Sequence, residues 1–471
     1  MRDGGQFRVA AAARNARSSL GLVALCATLC CGHGKIQAAD STNLPPPSSP
    51  PEFMDNKSPL PKLLLKDKRT NSYFTGFPVI GWDADVGFNY GGAVQWFNNG
   101  PAESPFFSYT PYRERAAVTA AGSTRGQKRA LIGYDRPYVG DSPWRIRAAG
   151  AYDQNPFENY FGVGEPTLGP LTYPGSSRTF DDFDEYTDAL GRTVNGQTWE
   201  RYNNYRKTHT GGLVTLERDF WGGWLRPQFG LQFSYIDVRD YTGDTIDDAV
   251  MQPTRLFMDE QAGKVLGFDG GWDNAVKFGL TFDTRDFEPD PDSGVMLQVV
   301  GRISSKIIGS AFDYEQFTFS GRAFHNLLGD RGRLVLAGRL TYTMQFGDVP
   351  FYSASVIPFT DGDVTGLGGH PTLRGFSTDR FVGDAAAYAN GELRWSFADT
   401  VLWNQHLRFM LVPFVDTGRV FDSVGHSTFN DWKIDGGVGL RLAWNLSTVV
   451  SFDFARSGEG NLFYMEVGHQ F

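Results

Sequence analysis

The sequence predicts an all-β protein, a 16-stranded antiparallel transmembrane β-barrel with long extracellular loops, and three observations carry that prediction. The last ten residues, Leu462 to Phe471, alternate between two faces and finish on an aromatic residue, as a strand between lipid and a wet lumen requires. The same period of two recurs back along the chain, and the connections between strands alternate between short and long. With 56 Gly, 14% aromatic and 21% charged residues, the composition suits Gly-rich, aromatic-rich strands joined by polar loops. A mean hydropathy of −0.32 agrees, because barrel strands are apolar on one side only. Outside the N-terminus no run approaches the roughly 20 apolar residues of a spanning helix.

In chain order, residues 1–39 read as a signal peptide. Arg2, Arg8, Arg14 and Arg17 precede the apolar stretch Leu20 to Cys31, and Gln37-Ala38-Ala39 offers a small-residue cleavage site. Leu25, Leu29 and Cys30 are bulky where a lipid-anchored cysteine wants a small predecessor, which disfavours lipidation of Cys26, Cys30 or Cys31. All three cysteines leave with this segment, which suits an oxidising envelope without a disulfide framework. The segment holds five basic groups and one acid, so its removal takes the formal charge from −9 to −13. Nucleic acid is not an expected partner of such a chain, and the acidity is read as solvated loop tips.

Residues 40–76 read as a Pro-rich periplasmic tether. Pro45-Pro46-Pro47, Pro50-Pro51, Pro59 and Pro61 are followed by the basic cluster Lys62 to Arg69. This composition and length are too little for a further periplasmic domain.

Residues 77–471 form the expected outer-membrane barrel. Its strands are predicted at 78–86, 87–98, 111–122, 127–137, 143–155, 207–220, 223–238 and 273–286, then at 293–305, 311–326, 331–346, 383–398, 405–421, 430–443, 447–456 and 460–471. Val438, Leu440, Leu442 and Trp444 alternate with Gly437, Gly439, Arg441 and Ala443, while Leu393, Trp395 and Phe397 alternate with Asn390, Glu392 and Arg394. The polar set is expected to face water inside. Trp221-Gly222, the turn at 289–294, Leu328 to Asp330 and Asn445-Leu446 are short; 156–206, 239–272 and 347–382 are long and fall on the opposite parity. Both termini are thus placed on the periplasmic side, and 156–206 is long enough to form a structured cap.

The third long loop contains Gly366-Leu367-Gly368-Gly369-His370-Pro371-Thr372-Leu373-Arg374-Gly375-Phe376, with five strands after it. The element Leu373, Arg374, Gly375, Phe376 in this position resembles the loop motif of the BamA/TamA outer-membrane assembly family, also called the bacterial surface antigen family. The resemblance implies that the loop folds back into the barrel and that its arginine meets an acid on the wall. The matching wall sequence is Phe414-Val415-Asp416-Thr417-Gly418, which makes Asp416 and Gly418 the expected partners. Phe282-Asp283-Thr284-Arg285-Asp286, Asn390-Gly391-Glu392-Leu393-Arg394 and Gly437-Val438-Gly439-Leu440-Arg441 extend the similarity over most of 77–471. Phe463, Met465, Val467 and Phe471 match the terminal assembly signal, with His469 at a slot usually aromatic or aliphatic. A guanidinium inside a barrel must keep its solvation or gain a partner, and a two-pronged contact to Asp416 would pin the loop. Members of the family usually carry periplasmic repeat domains ahead of the barrel, and the tether has no room for them.

No catalytic residue, metal site or cofactor is expected. No G-x-S-x-G element occurs, and the seven histidines at 33, 209, 325, 370, 406, 426 and 469 lack ligand spacing. His370 reads as a loop residue. Asp286, Glu288, Asp290 and Asp292 share only acid content with a calcium loop and read as a periplasmic turn. Trp221 and Trp224 fit an interfacial aromatic girdle.

The function implied by the resemblance is assistance to protein or lipid insertion or translocation at the bacterial outer membrane, through a seam where first and last strands pair poorly. The rival readings are a passive channel and a structural surface antigen built on 156–206. Expected partners are outer-membrane lipids and lipopolysaccharide, the assembly machinery for the chain's own insertion, and an unfolded protein or lipid client, with the barrel itself a monomer.

Overall fold

The computed structural model describes residues 49–471 apart from 67, 84–86, 125, 403–404, 427 and 445–447. The expected signal peptide, its three cysteines and the first part of the tether lie outside the described residues.

The wall is an antiparallel sheet of sixteen long strands in chain order. We label them β1 (Ser72–Asp83), β2 (Gly87–Asn98), β3 (Glu114–Ser123), β4 (Lys128–Arg136), β5 (Trp144–Asn159), β6 (Asn204–Arg218), β7 (Leu225–Arg239) and β8 (Ala275–Asp283). The second half comprises β9 (Gly294–Ser304), β10 (Tyr314–Asn326), β11 (Leu334–Gly347), β12 (Ala385–Leu402), β13 (Gln405–Phe421), β14 (Lys433–Trp444), β15 (Thr448–Ser457) and β16 (Gly460–Val467). Each predicted strand has its counterpart here. Among the described residues no helix is long and apolar enough to cross a membrane.

Period-two sequence makes the two faces. Trp395, Phe397, Val415, Val438, Leu440 and Phe454 are exposed on the outside, whereas Asn390, Glu392, Arg394, Asp416, Arg441 and Asp453 are buried inside. An outer face of this kind is stable only against hydrocarbon.

The strand bounds differ from expectation at both ends of the wall. β1 starts at Ser72, ahead of the predicted 78, and runs through Pro78 opposite Gly92. Among the described residues β1 has a ladder with β2 alone, so a proline without an N–H is tolerated on its open side. β16 stops at Val467, short of the predicted 471. Its partner β15 begins at Thr448, and the last rung is the Gly468 N–H on the Val449 carbonyl at 2.7 Å. Beyond that rung Gly468, in the left-handed region at φ 109°, turns the chain inward.

The first two long connections fold over the outer mouth. Residues 160–203 form the expected cap, with helix α1 (Phe183–Leu190) packed through Phe183, Tyr186 and Leu190 on Phe161, Phe180 and Tyr202. Asp182 caps this helix by accepting from the Glu185 N–H at 2.9 Å. The second connection carries a short helix α2 (Arg255–Gln261), whose buried Leu256 joins Tyr160, Tyr205 and Phe351.

At the opposite mouth the Pro-rich segment is docked against the barrel rather than extended throughout. Met54 is fully buried beside Phe106 and Tyr138. Lys57 reaches Asp219 at 2.9 Å, and the Asn56 N–H meets the Gly222 carbonyl at 3.0 Å. A cavity of about 530 Å3 lies between this segment and the turns, bordered by Lys68, Tyr112, Trp224 and Arg285. Lys68 donates to the Phe107 and Thr110 carbonyls, and burial pushes its ammonium down to about 7.

Candidate functional site

The connection between β11 and β12, residues 348–384, descends into the lumen. Its apolar anchors are Leu367, Leu373, Phe376 and Phe381, which pack with Ile357, Phe359, Tyr388 and Val420 in one buried cluster. Phe376 meets Phe381 edge-on at 5.2 Å. Burying these four residues against the wall removes apolar surface from water at about 25 cal/mol per Å2, enough to hold a polar backbone in the lumen only if its amides are also satisfied. They are satisfied locally: Thr372 Oγ1 accepts from the Gly368 N–H at 2.9 Å and donates to the Gly366 carbonyl at 3.0 Å. Gly368 and Gly369, at φ 114° and 83°, make the tight reversal that lets this happen.

That frame presents Arg374 to the wall with no exposed surface. Its Nε donates to Asp416 Oδ2 at 2.7 Å and its Nη2 to Asp416 Oδ1 at 2.9 Å, a two-pronged contact. Nη1 donates to Glu392 Oε1 at 2.7 Å, and the guanidinium lies over the Phe414 ring, 3.4 Å from its centroid. Asn390 Nδ2 donates to Asp416 Oδ1 at 2.8 Å and to the Thr372 carbonyl at 2.7 Å, so one side chain ties the loop and its acid together.

The charges form a network rather than a pair. Glu392 also takes Arg394 Nε at 2.8 Å, and Asp453 takes Arg441 at 2.8 Å and His370 Nε2 at 3.1 Å. A buried guanidinium is tolerable only when its donors are filled, and here Glu392, Asp416 and Asp453 fill most of them. Asp435 is the exception: it lies opposite Asp416 in the β13–β14 register, is buried, and neither carboxylate oxygen has a hydrogen-bond partner among the described residues.

The structure thus brings together Arg374 and Asp416, Leu373 and the wall cluster, and Gly375 with the wall. Gly375 accepts a hydrogen bond from Ser457 Oγ through its carbonyl at 2.6 Å. Gly418 does not meet Arg374. It leaves room for Leu367, whose Cδ1 would be 3.2 Å from a β-carbon there. Phe463 and Met465 face outward as expected, but Phe471 does not join them. It turns into the lumen, where Phe324, Val335 and Ala337 surround it and Arg394 donates to its carbonyl oxygen at 3.0 Å. The expected common face is therefore corrected at Phe471, which the left-handed turn at Gly468 takes off the strand's period of two. Gln470 donates to the His370 and Thr372 carbonyls at 3.0 and 3.2 Å, and His469 meets Asp290 at 2.8 Å.

Glu392, Arg394, Arg441, Asp453 and Asn390 were missed as site residues. The available signal was their parity, since each sits at an inward position of its strand. Asp286 closes the periplasmic turn, its Oδ1 accepting from the Phe287 and Asp292 amides at 2.9 and 3.0 Å, as a turn residue does. Trp221 and Trp224 are both exposed at a turn of the same end, where an aromatic girdle belongs.

Comparison with known proteins gives two family matches: the Omp85 superfamily domain over residues 114–471, and a domain of unknown function, DUF5982, over residues 50–113. Among solved structures, the chain is similar to BamA from Haemophilus ducreyi lacking POTRA domains 1-3, with TM-score 0.49 and 15% identity over 85% of this chain and 70% of that one. It is also similar to CdiB from Escherichia coli, with TM-score 0.49 and 12% identity over 85% of this chain and 62% of that one. For CdiB from Acinetobacter baumannii the TM-score is 0.45 and the identity 11%, over 84% and 60% of the two chains. The chain spans less than two thirds of either CdiB.

Proposed function

Because the chain belongs to the Omp85 superfamily and is a bacterial outer-membrane barrel, we propose that it assists the insertion or translocation of a polypeptide or lipid at the edge between β1 and β16. One observation carries this reading. Among the described residues, every neighbouring pair of wall strands shares a ladder except β1 and β16. Unpaired strand backbone cannot stay in hydrocarbon without a partner, so an edge of this kind favours an incoming strand or a thinned bilayer.

The two mouths support the same route. The cap lies over the outer one with the Arg374 loop in the lumen, and the N-terminal segment docks on turns of the periplasmic one, an arrangement that favours the side of the barrel as the way out. A client, the lipids around the barrel and lipopolysaccharide are the partners this reading requires.

The test is a covalent tie across the edge. Val79 is buried inside the barrel and Phe463 faces out, so the tie belongs between Val79 and the inward Leu462. With Val79→Cys and Leu462→Cys joined by a short bismaleimide, the barrel in liposomes should lose its ability to speed the folding of a small unfolded outer-membrane barrel. An undiminished rate under complete crosslinking would remove the reading. A large steady conductance that Arg374→Ala leaves unchanged would favour a passive channel instead.

A further inference from the structure

The lumenal loop touches the β15–β16 hairpin and the residues that follow it at five places. At the outer end Arg380 Nη2 pairs with Glu459, in the turn joining the two strands, at 2.8 Å. Below it, Ser457 Oγ on β15 donates to the Gly375 carbonyl at 2.6 Å, and Tyr464 Oη on β16 donates to the Phe376 carbonyl at 3.4 Å. Asp453 on β15 receives His370 at 3.1 Å. At the inner end Gln470, three residues past β16, donates to the His370 and Thr372 carbonyls. These contacts come from inside the barrel, on a hairpin whose second strand has no ladder at its other edge among the described residues.

We propose that the Arg374 loop is the structure that holds β16 in place, with Arg380–Glu459 as its outer clasp and Gln470 as its inner clasp, so that release of the loop and displacement of β16 are a single event. The physical reason is the missing neighbour. An interior strand is positioned by two ladders, whereas β16 has one, and a single ladder leaves it free to swing about β15. The loop supplies the second constraint through side chains, which can be undone without breaking any backbone pairing in the wall. Arg380 also donates to the Thr167 and Gly169 carbonyls of the cap at 2.5 and 2.9 Å, so an event at the cap reaches β16 through one residue. This inference rests on the edge reading above but concerns where the strand sits, and not what passes it.

The experiment places nitroxide labels on the outward positions Phe74 of β1 and Phe463 of β16, both exposed, and measures their distance distribution in lipid nanodiscs. Arg380→Ala and Gln470→Ala should each broaden the distribution, and together should at least double its width. Arg380→Lys should restore part of the parent width. Arg419→Ala removes a tie to Glu165 of the cap, found at 2.9 Å, without touching the hairpin, and should leave the width unchanged. Heat-modified mobility checks that each barrel is folded, and if the double variant does not fold, the two single variants decide. A parent-like distribution in folded Arg380→Ala and Gln470→Ala overturns the inference, as does equal broadening by Arg419→Ala. A barrel that needs the clasps to fix β16 yet works with Val79 tied to Leu462 would instead sink the edge function and leave this inference standing.

Discussion

Gly375 lies so close to Asp435 that a β-carbon on the glycine would stand 2.5 Å from Cβ of the aspartate and 2.9 Å from Cβ of Ser457. No backbone freedom explains this glycine; the loop meets the wall there with no space for a methyl group. Gly375→Ala must therefore lift the loop from β14 and β15. Overpacking of this kind costs about 1–3 kcal/mol, and the change should appear as a lower unfolding temperature together with more frequent current openings in planar bilayers.

Arg374→Ala leaves Asp416 buried without its cation and Glu392 with Arg394 alone at hydrogen-bond distance. Removing one member of a buried ion pair costs about 3–5 kcal/mol. Small, irregular currents that rise in the variant, with a fall in the temperature of heat-modified mobility, are the expected outcome.

The contact itself is isolated by a double-mutant cycle. Arg374→Ala and Asp416→Ala share one interaction, so the double variant should be less destabilised than the sum of the singles by about 0.5–3 kcal/mol. Additive losses would mean that Glu392 and Phe414 hold the arginine without Asp416.

Asp379 gives the loop a pH dependence. Burial and the nearby Glu158 push its carboxyl up to about 7 from 3.8, against the opposing pull of Lys207 and the Gly366 N–H, which donates to it at 2.8 Å. An acid whose folded value is raised stays protonated in the folded state where the unfolded chain has already lost the proton. Its contribution is complete below about pH 4 and falls as pH rises through 7. Melting of the parent should drop between about pH 4 and 7, and Asp379→Asn, which keeps the acceptor oxygen, should flatten that slope.

The docked N-terminal segment depends on Met54. Met54→Ala empties a fully buried site, a change that costs about 2–5 kcal/mol. Trypsin added from the periplasmic side should then cut at Lys62 or Lys66 faster than in the parent, with the barrel fragment intact. An unchanged cutting rate would show that Lys57 and Asn56 hold the segment alone.

Alternation of side chains is a local property, and so the wall was readable in advance. Asn390, Glu392 and Arg394 announced an inward row and Trp395 and Phe397 an outward one, because a strand has only two faces and lipid admits one kind of residue. The Leu373 to Phe376 element and Asp416 were found through a resemblance, since nothing in residue spacing alone says that a loop turns inward. The network around them was not readable. Glu392, Arg441 and Asp453 stand on β12, β14 and β15, and only the register of those strands together with the inward course of the loop sets them around one arginine.

The two ends of the wall divide the same way. Period two fixed which residues of β16 face lipid as far as Met465, whereas the inward turn of Gln470 and Phe471 follows the left-handed backbone at Gly468. Pro78, the first residue of the predicted strand, lies inside β1 and is accommodated because β1 lies at an edge. Local chemistry determined the strands, their faces and the membrane they suit. Register and closure decided which charges meet, which edge stays unpaired and what holds it, because those depend on distances between residues that the order of amino acids does not encode singly.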